Sequence, residues 1–264
     1  MSERERYEHG TPSWVDYSSP DPEGATRFYG ELLGWEVEDQ MPPDLPGHYF
    51  ICRVHGLSVA AIGSQPAEAI PPMWSTYVAV DDAHETANAI RSAGGTVAGE
   101  PFDVFDAGRM ALAIDPAGAP FCIWQAKSMP GAALVNEPGA LCWNELITGD
   151  PEGARAFYGS VFGWRAAPMG PDDAYTLWYA AGDGEPTDDE APIGGLSETA
   201  SDRQPAAWGI CFSVEDTDAT AVRAQELGGG VTIAPFDTPV GRTAVLTDPH
   251  GAGFAVIVLA DAGQ

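Results

Sequence analysis

The stretch DPEGARAFYGSVFGW, Asp150 to Trp164, repeats an earlier one. Asp21 to Trp35 reads DPEGATRFYGELLGW, with ten of fifteen positions identical at a constant offset of 129. Each copy opens on an aspartate suited to cap a helix, followed by proline at the first helical position. Ala25, Phe28, Tyr29, Leu32 and Leu33 fall on one helical face, as do Ala154, Phe157, Tyr158, Val161 and Phe162. Gly34 and Gly163 suit the C-terminal cap. An amphipathic helix marked at both ends therefore occurs twice, which predicts two related halves.

The repetition extends outward from these helices. SWVDYSS from Ser13 and CWNELIT from Cys142 read as strands ahead of them. MWSTYVAVDD from Met73 matches AWGICFSVED from Ala207, and GRMALAIDPAG from Gly108 matches GRTAVLTDPHG from Gly241. Alanine-rich helices follow the middle strands, near Ala83 to Ala93 and Ala219 to Leu227. Each half thus reads strand, helix, strands, twice over, which makes four related units. The second half carries an acidic insertion, GDGEPTDDEAP from Gly182, expected to be solvated or to lie at a cleft mouth. The segment MPGAALVNEPGA, Met129 to Ala140, has the glycine and proline of a linker.

With 12 basic and 39 acidic residues, the formal charge of −27 argues against nucleic acid or an anionic membrane as a partner, since either needs a basic face. Such a field steers cations toward the surface, or serves solubility alone. No apolar run reaches membrane-spanning length, and MSERERYEHG has no apolar segment behind its charges, so a cytoplasmic protein is expected. Cys52, Cys122, Cys142 and Cys211 lack CxxC spacing, which predicts neither a disulfide nor a zinc site.

The order of first strand, aspartate and FYxxxxGW at both Asp21 to Trp35 and Asp150 to Trp164, closed by GRxxxxxDPxG at Arg109 to Gly118 and Arg242 to Gly251, resembles one known family. It is that of glyoxalases, bleomycin-resistance proteins and extradiol dioxygenases, the vicinal oxygen chelate superfamily, and the chain looks most like its tandem actinobacterial members. The resemblance implies an α+β fold with four βαβββ units in two tandem glyoxalase-like domains, residues 8–128 and 141–261 with 129–140 as linker, whose curled sheets form cups. In metal-dependent members it implies a divalent ion held from the first strand, usually by His, from the start of the fifth strand, and by a Glu in the last strand. Such an ion acts as a Lewis acid on two neighbouring substrate oxygens.

Carried onto this chain, the first position falls on Trp14 and Trp143, the second on Trp74 and Trp208, and the third on Cys122 and Ala255. Neither indole nor alanine ligates such metals. The five histidines, His9, His48, His55, His84 and His250, stand away from these positions and suit exposed or capping roles, so neither metal nor cofactor is expected.

Four tryptophans would turn a polar metal centre into an aromatic surface. Asp16 and Glu145, two residues along from Trp14 and Trp143 on the same face, add one carboxylate to each cup. The expected ligand is a small aromatic molecule, cationic or neutral, held by stacking and charge-assisted hydrogen bonds. Core filling by the tryptophans is the competing reading, with Arg109 and Arg242 pairing Asp16 and Glu145. A desolvated Asp16 or Glu145 would also serve as a general base, and Cys122 as a nucleophile lacks a neighbouring base in sequence. Three readings follow: a metal-free binding protein for an aromatic polyketide-like compound, used in resistance or beside a tailoring oxygenase; a cofactor-independent isomerase, lyase or hydroxylase-like enzyme; and, ranked last, a metal-dependent glyoxalase or dioxygenase whose ligands lie at other positions. The fused halves imply a monomer with an internal pseudo-twofold or a homodimer.

Overall fold

The structure is a computed structural model that describes residues 2–65, 71–170, 175–187, 189–199 and 205–260. The first unit comprises β1 (Pro12–Ser19), α1 (Pro22–Leu33), β2 (Glu36–Asp39), β3 (Tyr49–Val54) and β4 (Leu57–Ser64). The second comprises β5 (Met73–Ala79), α2 (Ala83–Ser92), β6 (Thr96–Val97), β7 (Phe102–Val104), β8 (Gly108–Ile114) and β9 (Pro120–Ala126). The third unit is β10 (Leu141–Thr148), α3 (Pro151–Phe162), β11 (Arg165–Met169), β12 (Tyr175–Tyr179) and β13 (Gly194–Glu198). The fourth is β14 (Ala207–Ser213), α4 (Thr217–Glu226), β15 (Gly230–Thr238), β16 (Gly241–Thr247) and β17 (Gly253–Leu259).

The repeated phrase forms α1 and α3 as its residues require. Asp21 and Asp150 each accept the backbone N–H three residues on, Gly24 and Gly153, at 2.9 Å. Such a cap is worth about 1 kcal/mol. A Cβ on Gly24 or Gly153 would lie 2.1 Å from the capping carboxylate, so a side chain there would oblige the aspartate to rotate. Gly34 and Gly163 close the helices in the left-handed conformation, at φ 73° and 71°.

Each half builds its own curled sheet. The first runs β2-β3-β4-β1-β5-β9-β8-β6 with β7 added to β8, and the second runs β11-β12-β13-β10-β14-β17-β16-β15. The two units of a half join centrally, where β1 pairs antiparallel with β5 and β10 with β14. Among the described residues, each sheet is built from strands of one half.

The cores, by contrast, are shared between halves. Phe28 and Tyr29 of α1 pack on Phe254 of β17, while Phe157 and Tyr158 of α3 pack on Phe121 of β9. Trp35 donates to the Gly139 carbonyl and Trp164 to that of Gly10, both at 2.6 Å, as core residues. The aspartate of the closing motif is a turn staple. Asp115 Oδ1 accepts the N–H groups of Ala117 and Ala119, and Asp248 Oδ1 those of His250 and Ala252. Tyr158 donates to Asp115 Oδ2 at 3.1 Å, tying a helix of the second half to a turn of the first.

Trp74 and Trp208, expected in the cups, belong to these shared cores. Trp74 donates to the Tyr29 hydroxyl at 3.0 Å and Trp208 to that of Tyr158 at 2.9 Å. The physical reason is strand alternation. Trp74 shares its face of β5 with Val78, against the helices, while Ser75 and Tyr77 face the cup.

Candidate functional site

Two cups result, one per sheet, and both are built around the same trio. On β1, Trp14 and Asp16 point into the first cup, and Tyr49 lies across from β3 over Gly63. Trp14 Nε1 donates to the Tyr49 hydroxyl at 3.2 Å. On β10, Trp143 and Glu145 repeat the arrangement, and Trp143 Nε1 donates to the Tyr175 hydroxyl at 2.8 Å. Gly195 leaves room for that tyrosine, since a Cβ there would meet its hydroxyl at 1.8 Å and oblige the ring to move.

The first cup is filled by its own side chains. Trp14, Tyr77, Cys122 and Trp124 form one buried cluster, with Ile51, Val104 and Met110 packed against it. Linker residues Met129, Ala132 and Val135 also pack on this cluster. Ala132 N and Ala133 N donate at 2.8 Å to the carbonyls of Ser13 and Ser58, which lashes the linker to β1 and β4. Asp16, 9% exposed, accepts from Tyr77 at 2.7 Å and from Tyr49 at 3.3 Å. Burial pushes its carboxyl up to about 6, although Tyr77, Tyr49 and Ser75 hydrogen bonds pull the other way. Burial likewise raises the Cys122 thiol well above its ordinary value, which leaves it a poor nucleophile.

The second cup keeps the trio and loses the filling. On the wall facing β10, the registers place Gly209 where the first cup has Ser75, Cys211 for Tyr77, Thr243 for Met110, Val245 for Leu112, Ala255 for Cys122 and Ile257 for Trp124. Every replacement is smaller. Trp143, Glu145, Tyr175 and Leu177 are accordingly only half-buried. Ile233 and Phe236 of β15, direct partners of Val245 and Thr243, extend the same face and are 48% and 42% exposed. Ser197 Oγ donates to Glu145 Oε1 at 2.6 Å, and partial burial raises the Glu145 carboxyl above its usual range despite that bond. Cys211 lies against Cys142, whose thiol raises that of Cys211, with burial adding to the effect.

The expected ion pairs between these carboxylates and Arg109 or Arg242 do not form. Arg109 adjoins the cup-facing Met110 and so points to the opposite face, where it binds Asp103 at 2.8 Å. Arg242 likewise reaches Asp218 and Asp237 on the helix side. The acidic insertion is anchored by an Arg165–Glu190 ion pair. A separate groove of about 1150 Å³ opens between the halves, beside Leu32, Leu57, Leu134 and Glu137, away from both cups.

The residues facing the cups do not suit a chelated divalent ion. The first-strand positions are indoles, the cup-facing fifth-strand positions are Ser75 and Gly209, and the last-strand positions are Cys122 and Ala255. Among the described residues, no group of three or more His, Cys, Asp or Glu side chains comes together. His9 caps toward the Asp81 N–H and His48 pairs with Asp39, while His55, His84 and His250 are exposed. Among the described residues, no helix is long and apolar enough to cross a membrane.

Sequence reasoning found Trp14, Asp16, Trp143, Glu145 and Cys122 on the cup side. It missed Tyr49 and Tyr175, although their shared offset of 126 was readable from the repeat. It also missed Tyr77, Ile233 and Phe236, which only the strand registers reveal.

Comparison with known proteins fits this architecture. The profile of the Glyoxalase/Bleomycin resistance protein/Dioxygenase superfamily matches residues 11–123 and 140–256. A Mycobacterium tuberculosis protein named "Putative glyoxylase CFP32" is 42% identical over 97% of this chain and 98% of its own length. The anthracycline biosynthesis protein DauV of Streptomyces sp. strain C5 is 36% identical over 97% of this chain and 96% of its own. Among solved structures, the Mn(II)-bound glyoxalase of Novosphingobium aromaticivorans superposes with a TM-score of 0.62 at 13% identity, over 100% of this chain and 87% of that one. The 2,2',3-trihydroxybiphenyl 1,2-dioxygenase of Sphingomonas wittichii RW1 gives 0.63 at 13% identity, over 95% and 91%. At such identity these two structures speak for the fold alone. With both halves matched, and with relatives aligned end to end, the chain belongs to the glyoxalase, bleomycin-resistance protein and dioxygenase superfamily.

Proposed function

We propose that this chain binds a planar aromatic small molecule in its second cup without the help of a metal, either to sequester it or to present it to a tailoring oxygenase. The observation that carries the reading is the wall of Gly209, Cys211, Thr243, Val245, Ala255 and Ile257, smaller at every position than its counterpart, facing a half-buried Trp143. Exposed Ile233 and Phe236 on the same face supply apolar surface for a ring system. DauV and DnrV, both 36% identical, are named for the biosynthesis of anthracyclines, which are fused-ring aromatic compounds. Isothermal titration with a panel of neutral and amine-bearing anthraquinones tests the reading. One site per chain is expected, with a micromolar or tighter constant that a chelator leaves unchanged. Silence across the panel would overturn it.

The raised Glu145 carboxyl favours a second reading, a cofactor-independent enzyme that uses Glu145 as general base on an acidic C–H or phenol. Asp16 is the weaker base candidate, because two tyrosines and the surrounding cluster enclose it. Turnover that survives chelation and disappears in Glu145→Gln would separate catalysis from binding.

A further inference from the structure

We infer that the second cup recognises a phenolic hydroxyl, which donates its hydrogen bond to Glu145, and that the first cup displays this contact already made, with Tyr77 in the ligand's place. The inference rests on the aromatic-ligand reading above and names the group which that reading leaves open.

In the first cup the Tyr77 phenol donates to Asp16 Oδ2 at 2.7 Å, and its ring meets Trp124 edge to face at 6.3 Å. The carboxylate is thereby satisfied by an aromatic hydroxyl rather than by a cation. In the second cup the acceptor survives as Glu145, one methylene longer, and the tryptophan–tyrosine pair beside it survives as Trp143 and Tyr175. What has gone is the internal donor and its ring partner: Cys211 stands for Tyr77 and Ile257 for Trp124. Ser197 satisfies Glu145 Oε1, and among the described residues Oε2 has no hydrogen-bond partner.

Glu145 is half-buried, and a carboxylate oxygen held beside apolar walls is stabilised by a donor that reaches it. A phenol suits this place because its O–H forms a short, charge-assisted bond to a carboxylate while its ring contributes apolar area to the wall. An anionic ligand is disfavoured. Arg242, the nearest repeated cation, turns to the helix side of β16 and is held there by Asp218 and Asp237.

The test compares 2-hydroxyanthraquinone with its methyl ether, at a pH below the ionisation of the free phenol. The hydroxy compound is expected to bind at least about tenfold more tightly, the order expected for a hydrogen bond to a charged group. Glu145→Gln should shrink that preference several-fold. Cys211→Tyr, which restores the internal donor, should abolish binding of both probes. Should Cys211→Tyr fail to fold, as judged by its thermal melt, Glu145→Gln carries the test alone. Equal affinity of the wild-type protein for the two probes would overturn the phenol inference and leave the aromatic-ligand reading standing. A preference undiminished in Glu145→Gln would overturn the assignment to Glu145. Failure of both probes to bind would overturn the inference and the reading together.

Discussion

Trp14 and Trp143 hold the same place on β1 and β10 and donate to equivalent tyrosines, yet Trp14 is 3% exposed while Trp143 is only half-buried. The difference lies in the wall opposite, not in the tryptophans. Tyr77, Cys122 and Trp124 close over Trp14, and Cys211, Ala255 and Ile257 leave Trp143 accessible. The linker adds to the asymmetry by packing Met129, Ala132 and Val135 onto the first cup. Duplication therefore left one sheet free to become a core while the other stayed open. On the reading proposed above, the first cup lends stability and the second holds the ligand.

The sharpest way to break this comparison is to truncate tryptophans of the two kinds. Trp208→Ala removes a buried indole, packed on Tyr158 and Trp164, along with its hydrogen bond to Tyr158. A loss of about 3–5 kcal/mol in urea unfolding is expected. Trp143→Ala, at a half-buried cup position, should cost less than about half as much, because fewer contacts and no closed cavity are involved. Equal losses would mean that the second cup is packed as closely as the core shared between the halves.

A smaller effect concerns Asp16. Its folded carboxyl titrates near 6, above the value of about 4 in the unfolded chain, so the folded state binds the proton more tightly. The resulting stability is fully present below pH about 4 and is lost as pH rises through about 6, a change of about 3 kcal/mol at most. Asp16→Asn removes this titration. The difference in unfolding free energy between variant and wild type should therefore change across that window and flatten on either side, and a difference constant with pH would show that Asp16 is not desolvated.

Much of this architecture was legible because the repeat supplied its own alignment. Aspartate, proline and glycine marked the ends of α1 and α3, and the matched runs located four units. Strand period then put Asp16 with Trp14, and Glu145 with Trp143, on one face. The same logic failed on β5 and β14, where both faces are buried and no polar alternation shows which side of MWSTYVA or AWGICFS meets the helices. Trp74 and Trp208 were misplaced for that reason. Arg109 and Arg242 were matched to the wrong carboxylates because rarity of cations carries no direction, whereas their neighbours on the strand do. The contrast in cup filling arises between distant strands, Tyr77 against Asp16 and Trp124 against Met110, and emerges only when registers are known.

The most direct test of the central claim is fluorine NMR of protein labelled with 5-fluorotryptophan, with Trp14→Phe and Trp143→Phe used to assign the two resonances, during titration with 2-hydroxyanthraquinone. The Trp143 signal is expected to move in a saturable manner while the Trp14 signal stays in place. Movement of Trp14 with Trp143 unchanged would contradict that claim and make the first cup the binding site.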